Sequence, residues 1–224
     1  INPPSASDLC LGMAIGVNAV QLVAFAGSFR EVSPMADLVL FFEAPTNTRF
    51  KAIIEKFGVI AIEIDTGRLE PAILRQYHPS SARWVLIQRF LDTKGSDYER
   101  VLIADVRETF FQTDPFDIIG EPGIYTFMED KNIGESSPNS ARMKECLGPS
   151  VLSKMAASPV IGSAVSLATS SFAIEYARQM STGILSSAFQ ACEKAGVETG
   201  LHNYLLYSGK VQGVLRFDQL SGPL

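Results

Sequence analysis

Short apolar runs alternate with segments of helical period along the first half of the chain. Leu9–Val17 (LCLGMAIGV), Leu38–Phe42 (LVLFF), Val59–Ile64 and Val101–Ala104 (VLIA) predict strands, the last wholly apolar, as a strand buried on both faces of a parallel sheet requires. Between them, Asn18 can cap a helix running through Val20, Val23 and Phe25 towards Phe29, with Pro34 ending it. Thr46 or Asn47 can cap a second helix through Phe50, Ile53, Ile54 and Phe57, whose spacing keeps one face apolar, and Gly58 is a natural stop. Strand, helix, strand, helix, strand within some sixty residues is the repeat of a parallel sheet with right-handed crossovers.

The second half is less regular. From Asp65 to Pro79 the period is lost, which predicts a connection; Ser80 or Ser81 then caps a helix that puts Trp84, Ile87, Phe90 and Leu91 on one face. After the central strand, Asp114-Pro115 signals a turn, with Phe110, Phe111 and Phe116 expected to pack beneath the sheet. Gly123–Met128 and Val160–Leu167 read as strands, Ser171–Met180 and Ile184–Ala195 as helices with Gly196 ending the second. A short helix through Leu205 and Tyr207 and a last strand at Val211–Leu215 close the chain. Residues 132–150 are rich in Ser, Gly, Asn and Pro without periodicity, so a mobile lid or acceptor-binding loop is expected there. No internal repeat is visible, and one domain spanning 1–224, with a loose segment at 1–8, is the expectation.

Composition narrows the function classes. Hydrophobic residues make up 46% and charged residues 19%, which excludes a largely disordered chain. A formal net charge of -5 gives no basic field for nucleic acid or an anionic membrane, so any phosphate site has to be local. No apolar stretch reaches the roughly 18–20 residues of a membrane span. The chain starts at Ile1 without a signal-like core, so an anchor elsewhere in a longer gene stays open. Three cysteines and two histidines without CxxC spacing argue against a structural zinc site. Cys10 falls in an apolar run and reads as a buried thiol, whereas spacing does not decide whether Cys146 and Cys192 pair.

Candidate chemistry follows from position. Asp105, Arg107 and Glu108 come directly after the apolar run 101–104, hence at the carboxyl end of the predicted central strand, the edge where open α/β sheets bind ligands. The plainer alternative is that Asp105 caps the turn and Arg107 pairs with Glu108 on the surface. The first strand ends in a turn at Ile15–Asn18, where Gly16 lets backbone approach a ligand closely. That turn lacks the GxGxxG spacing of dinucleotide binding, which counts against an NAD enzyme.

The string VLIADVRETFFQTDPF (Val101–Phe116) resembles the segment RVLLTDVRDVVFQxDPF of a family of nucleotide-sugar glycosyltransferases with the GT-A fold, in which Asp-x-Arg-Asp stands where many GT-A enzymes carry Asp-x-Asp. SSARWVLIQRFL (Ser80–Leu91) and GVETGLHNYLLY (Gly196–Tyr207) resemble segments of the same family in the same order. The resemblance implies an α/β, GT-A-like, mostly parallel sheet flanked by helices. It also implies transfer of a hexose or related sugar from a UDP- or GDP-sugar to a glycan or protein acceptor.

The same resemblance implies a nucleotide-sugar site at Gly16, Val17, Asn18, Arg83, Asp105, Val106, Arg107, Gly162 and Ser163, with Glu198 as the catalytic carboxylate and Mn2+ or Mg2+ held by Asp105 and His202. Two departures stand out. Arg107 replaces the second Asp of Asp-x-Asp, so either Glu108 takes over as ligand or Arg107 itself meets the diphosphate. Glu198-Thr199 replaces the relatives' Asp-Gln, which keeps a carboxylate and loses an amide. A Golgi or secretory lumen is implied if the gene carries an anchor, and the cytoplasm otherwise. Two other readings remain: a silent GT-A-like domain that binds nucleotide or glycan without turnover, and a nucleotidyltransferase, which the lack of a Gly-rich, Lys-containing N-terminal loop disfavours.

Overall fold

The structure is a computed structural model and describes residues 7–194 and 196–218; most of the expected loose start at 1–8 therefore lies outside the described residues. Among the described residues eight strands form one sheet: β1 (Asp8–Met13), β2 (Asp37–Glu43), β3 (Ile60–Ile64), β4 (Arg100–Ala104), β5 (Ile124–Asn132), β6 (Pro159–Ile161), β7 (Val165–Thr169) and β8 (Val214–Asp218). They run in the order β3-β2-β1-β4-β7-β5-β6, with β8 beside β5. The β3-β2-β1-β4 half is parallel throughout, as the strand-helix repeat predicts. Past β4 the sheet turns mixed: β7 lies antiparallel to both β4 and β5, and β8 lies parallel to β5.

The α-helices of the described residues are α1 (Ala19–Val32), α2 (Thr48–Lys56), α3 (Pro79–Lys94), α4 (Ser137–Leu147), α5 (Pro149–Met155), α6 (Ser170–Ile184), α7 (Ser187–Gln190) and α8 (Glu198–Tyr207). The central strands alternate between two cores. Leu9, Leu11, Val101 and Ile103 point to the face covered by α3, α6 and α8, while Cys10, Leu102 and Ala104 point to the face under α1. This double burial is why VLIA carries no polar residue. On the first face Trp84 and Tyr176 are fully buried and meet edge-on at 5.2 Å between ring centroids. Truncating Trp84 to Ala would cost about 3–5 kcal/mol.

Several expectations about elements need correction. Asn18 caps α1 through a reciprocal capping box with Gln21, yet Val20 and Val23 face solvent and the buried stripe is Leu22, Phe25, Ala26 and Phe29. Helix α3 begins one turn-start earlier than expected: His78 is the cap, its side chain accepting from the Ser80 N–H, with Pro79 at the first helical position. Phe111 and Phe116 pack beneath the sheet on Phe29, but Phe110 is 64% exposed. The stretch 132–150 is not a loop; most of it is helical, as α4 and the start of α5. Val160–Leu167 is not one strand but two, β6 and β7, broken at Gly162–Ala164. Of the helix expected at Ile184–Ala195 only the four residues of α7 are helical beyond the end of α6, and Ala195 lies outside the described residues. There the chain is held instead by a disulfide between Cys146 and Cys192.

Candidate active site

The chemistry gathers where β4 stops. Asp105 leaves the strand with its N–H donating to the Ala164 carbonyl at 2.7 Å, so the β4 end is tied to the break between β6 and β7. Its Oδ1 accepts from the Arg107 N–H at 2.8 Å and closes the turn. Its Oδ2 accepts from Arg83 Nη1 at 3.2 Å. Arg83 is 5% exposed and reaches this point from α3; its Nη2 also donates to the Ser163 carbonyl at 3.0 Å, and its guanidinium lies 5.2 Å from the Trp84 ring centre. A buried guanidinium needs such a carboxylate, and the pair fixes the strand end against the helix.

Arg107 does not pair with Glu108. Its Nη2 donates to the Gly16 carbonyl at 3.0 Å, joining the turn after β1 to the turn after β4. Gly16 has φ of 74°, so the backbone conformation asks for glycine, and the Arg107 guanidinium packs against it.

Helix α8 brings the carboxylate of Glu198. The side chain of Asn203, 2% exposed, accepts from the Ile161 N–H at 2.8 Å and donates to the Ile161 carbonyl at 2.9 Å, clamping α8 onto β6 as a neighbouring strand would. Glu198, 4% exposed at the first position of α8, accepts from Ser80 Oγ at 3.0 Å, and Thr199 Oγ1 meets Ser163 Oγ at 2.9 Å. His78 Nδ1 lies 2.9 Å from Ser80 Oγ, so a polar line runs from the α3 cap to Glu198.

These groups line one cleft of about 310 Å³, with Arg83, Asp105, Arg107, Glu108, Ser163 and Glu198 on its walls. A larger cavity of about 720 Å³ adjoins it, sharing Glu108 and Ala164, and is walled mainly by apolar groups such as Phe110, Phe111 and Phe127. The smaller cleft is the better candidate for chemistry, because charged and hydrogen-bonding groups converge there.

Solved structures confirm the architecture. The chain matches 233 chains of solved structures. One is a galactosyltransferase LgtC in complex with donor and acceptor sugar analogs, at TM-score 0.57 and 13% identity, over 93% of this chain and 72% of that one. The fold is GT-A. No protein-family model matches the sequence, and no curated protein matches it.

On this GT-A frame, five of the expected site residues meet in the cleft: Arg83, Asp105, Arg107, Ser163 and Glu198. Gly16 touches it through Arg107. The others sit elsewhere. Val17 and Val106 are buried in the core beneath α1, Asn18 spends its side chain on the α1 cap, and Gly162 lines the larger cavity.

His202 needs the fullest correction. It is completely buried one turn into α8, its Nδ1 hydrogen-bonded to the Tyr176 hydroxyl, and it does not line the cleft. Burial, followed by the nearby Arg83 charge, pushes its pKa down to about 3, so the ring is neutral. The residues present do not assemble the expected Mn2+ or Mg2+ site. His202 stands outside the cleft that Asp105 lines, and among the described residues no three His, Cys, Asp or Glu side chains are grouped to hold a metal. Sequence reasoning missed His78, Ser80 and Arg142 on the cleft wall. The first two stand in the capping stretch of α3, where cap chemistry masks any other role.

Proposed function

We propose that this chain is a glycosyltransferase that moves a sugar from a UDP- or GDP-sugar to a glycan or protein acceptor. The observation that carries the reading is the Arg83–Asp105 pair set at the carboxyl end of the central strand, inside a cleft of a GT-A fold.

Breaking the bond between the sugar and a nucleoside diphosphate leaves negative charge on the diphosphate, which fixed cations stabilise if they already point at it. Arg107 and Arg83 supply such donors on the cleft wall. Arg83 is held by Asp105 and the Ser163 carbonyl, and Arg107 by the Gly16 carbonyl, so little reorganisation is needed when charge develops. Glu198, oriented by Ser80 Oγ, is the group we assign to accept the acceptor hydroxyl's proton. The Cys146–Cys192 disulfide favours an oxidising compartment such as a secretory lumen.

Thermal melting in the presence of UDP-, GDP- and CDP-sugars, each with Mn2+ or with EDTA, tests the reading. Binding at a hundred times Kd would stabilise the parent by roughly 2.7 kcal/mol. We expect a shift with a UDP- or GDP-sugar in the parent and its loss in Asp105→Asn, whose own stability falls by roughly 1.5–3 kcal/mol through the orphaned Arg83. A parent that ignores every nucleotide sugar, or a variant that responds like the parent, sinks the assignment.

A further inference from the structure

The proposed function leaves one cation on the cleft wall unexplained. Arg142 comes from α4, in the stretch expected to be a loop, and faces the same cleft as Arg83, Arg107 and Glu198. Its guanidinium lies flat on Gly196: a Cβ on that residue would stand 2.6 Å from Cζ and Nη1 and 2.8 Å from Nη2. Gly196 has φ of 78°, a conformation that favours glycine, and the missing side chain leaves room for the guanidinium. Yet Arg142 has no ion pair and no side-chain hydrogen bond among the described residues, although it is half-buried. Five N–H donors held against a wall without an acceptor are a preformed anion contact.

The helix that presents it is pinned from three sides. Met143 is fully buried with Ile133, Met155 and Val160. Its Cα would lie 3.5 Å from a Cβ on Gly200, so α4 packs directly on the backbone of α8. Cys146, one turn past Arg142 on the same side of the helix, is bonded to Cys192, four residues before Gly196, and Lys194 pairs with Glu145 between them. The disulfide thus joins the element carrying the guanidinium to the segment carrying its glycine floor.

We propose that Arg142 is a ligand-binding residue of the cleft, taking a phosphate oxygen of a bound nucleoside diphosphate opposite Arg107, and that the Cys146–Cys192 disulfide holds it in place. The proposal rests on the glycosyltransferase reading for the source of the diphosphate. Its ligand chemistry, a polyanion met by several guanidiniums, is separable from that reading and can be measured alone.

The test is calorimetric titration of inorganic pyrophosphate, UDP, UDP-sugars and phosphate-free uridine into the parent, Arg142→Gln and Arg142→Lys, with unliganded melting to show that each variant is folded. Loss of one charge-assisted contact lowers affinity roughly ten- to a hundred-fold. We expect that loss in Arg142→Gln for pyrophosphate and UDP, none for uridine, and partial recovery in Arg142→Lys. Mild reduction of the disulfide should weaken pyrophosphate binding in the parent and do less in Arg142→Gln. A parent and Arg142→Gln that bind UDP equally overturn the role of Arg142 and leave the glycosyltransferase reading standing. Pyrophosphate binding that depends on Arg142, in a parent indifferent to every nucleotide sugar, keeps the anion site and overturns the reading. A parent that binds none of these ligands overturns both.

Discussion

His202 shows how a residue type misleads when its surroundings are unknown. The family resemblance implies a metal ligand at this late histidine, but it is sealed between α8 and α6, with Tyr176 on its Nδ1. The consequence is a stability effect. In the unfolded chain the imidazole titrates near pH 6.5, whereas in the folded protein burial and Arg83 hold its pKa down to about 3. Between those values the unfolded chain binds a proton that the folded one excludes, so stability is complete above about pH 6.5 and falls with acidification by about 1.4 kcal/mol per pH unit for this one group. Melting temperature followed from pH 7.5 to pH 4 in the parent and in His202→Gln should converge as the pH drops, the variant lacking this part of the slope. Parallel curves would mean that the imidazole is not the proton-excluding group.

At the scale of elements, the parts legible in the sequence are those whose physics is local. Strands β1, β2 and β4 are visible because each is buried on both faces, the exposed edge strand β3 through its short β-branched run, and the α1, α2 and central-strand assignments stand within a few residues. Asp105 is legible as a cleft residue because a charge following an apolar run stands at a strand end, whereas Arg83, inside α3, is picked out only by the family resemblance. Helix α6 is legible within the second half of the chain, but the stretches 132–158 and 185–197 are not. Helix α4 buries Met143 but leaves much of its surface to solvent, so it shows no apolar stripe, and its packing comes from Gly200 and a disulfide, both long-range. Gly196 looked like a helix stop and is instead the floor for Arg142. The disulfide closes a sequence separation of 46, and the chain-entropy estimate for a loop of that size is about 4 kcal/mol. Cys146→Ser with Cys192→Ser should therefore lower the denaturant midpoint substantially without changing the far-ultraviolet circular dichroism of the folded state. A midpoint unchanged from the oxidised parent would show that α4 and the 190–197 segment are held by packing alone.

For the molecule as a whole, the central strands tie the two cores together, and this gives the cleft its fixed walls. Strand β1 lies between β2 and β4 with Leu9 and Leu11 on one face and Cys10 on the other, all at 0% exposure. At the far edge β3 is largely exposed, and α2 has no fully buried residue. Opening should therefore be graded, with β3 and α2 yielding locally and β1 only when the sheet comes apart. Cys10 reports on that last event. It is the free cysteine of the described chain, and burial raises its thiol pKa well above the ordinary range, so neither access nor thiolate is available while the sheet is closed. With Cys146 and Cys192 oxidised, a thiol reagent should find no reactive group in the native protein and one after unfolding in denaturant. The labelling rate should follow the global unfolding equilibrium across denaturant concentrations rather than the exposure of the edge. Labelling of Cys10 at a rate set by the loss of β3 and α2 alone would show that the centre of the sheet opens with its edge, and the rigid positioning of Asp105, Arg107 and Gly16 would then lack its foundation.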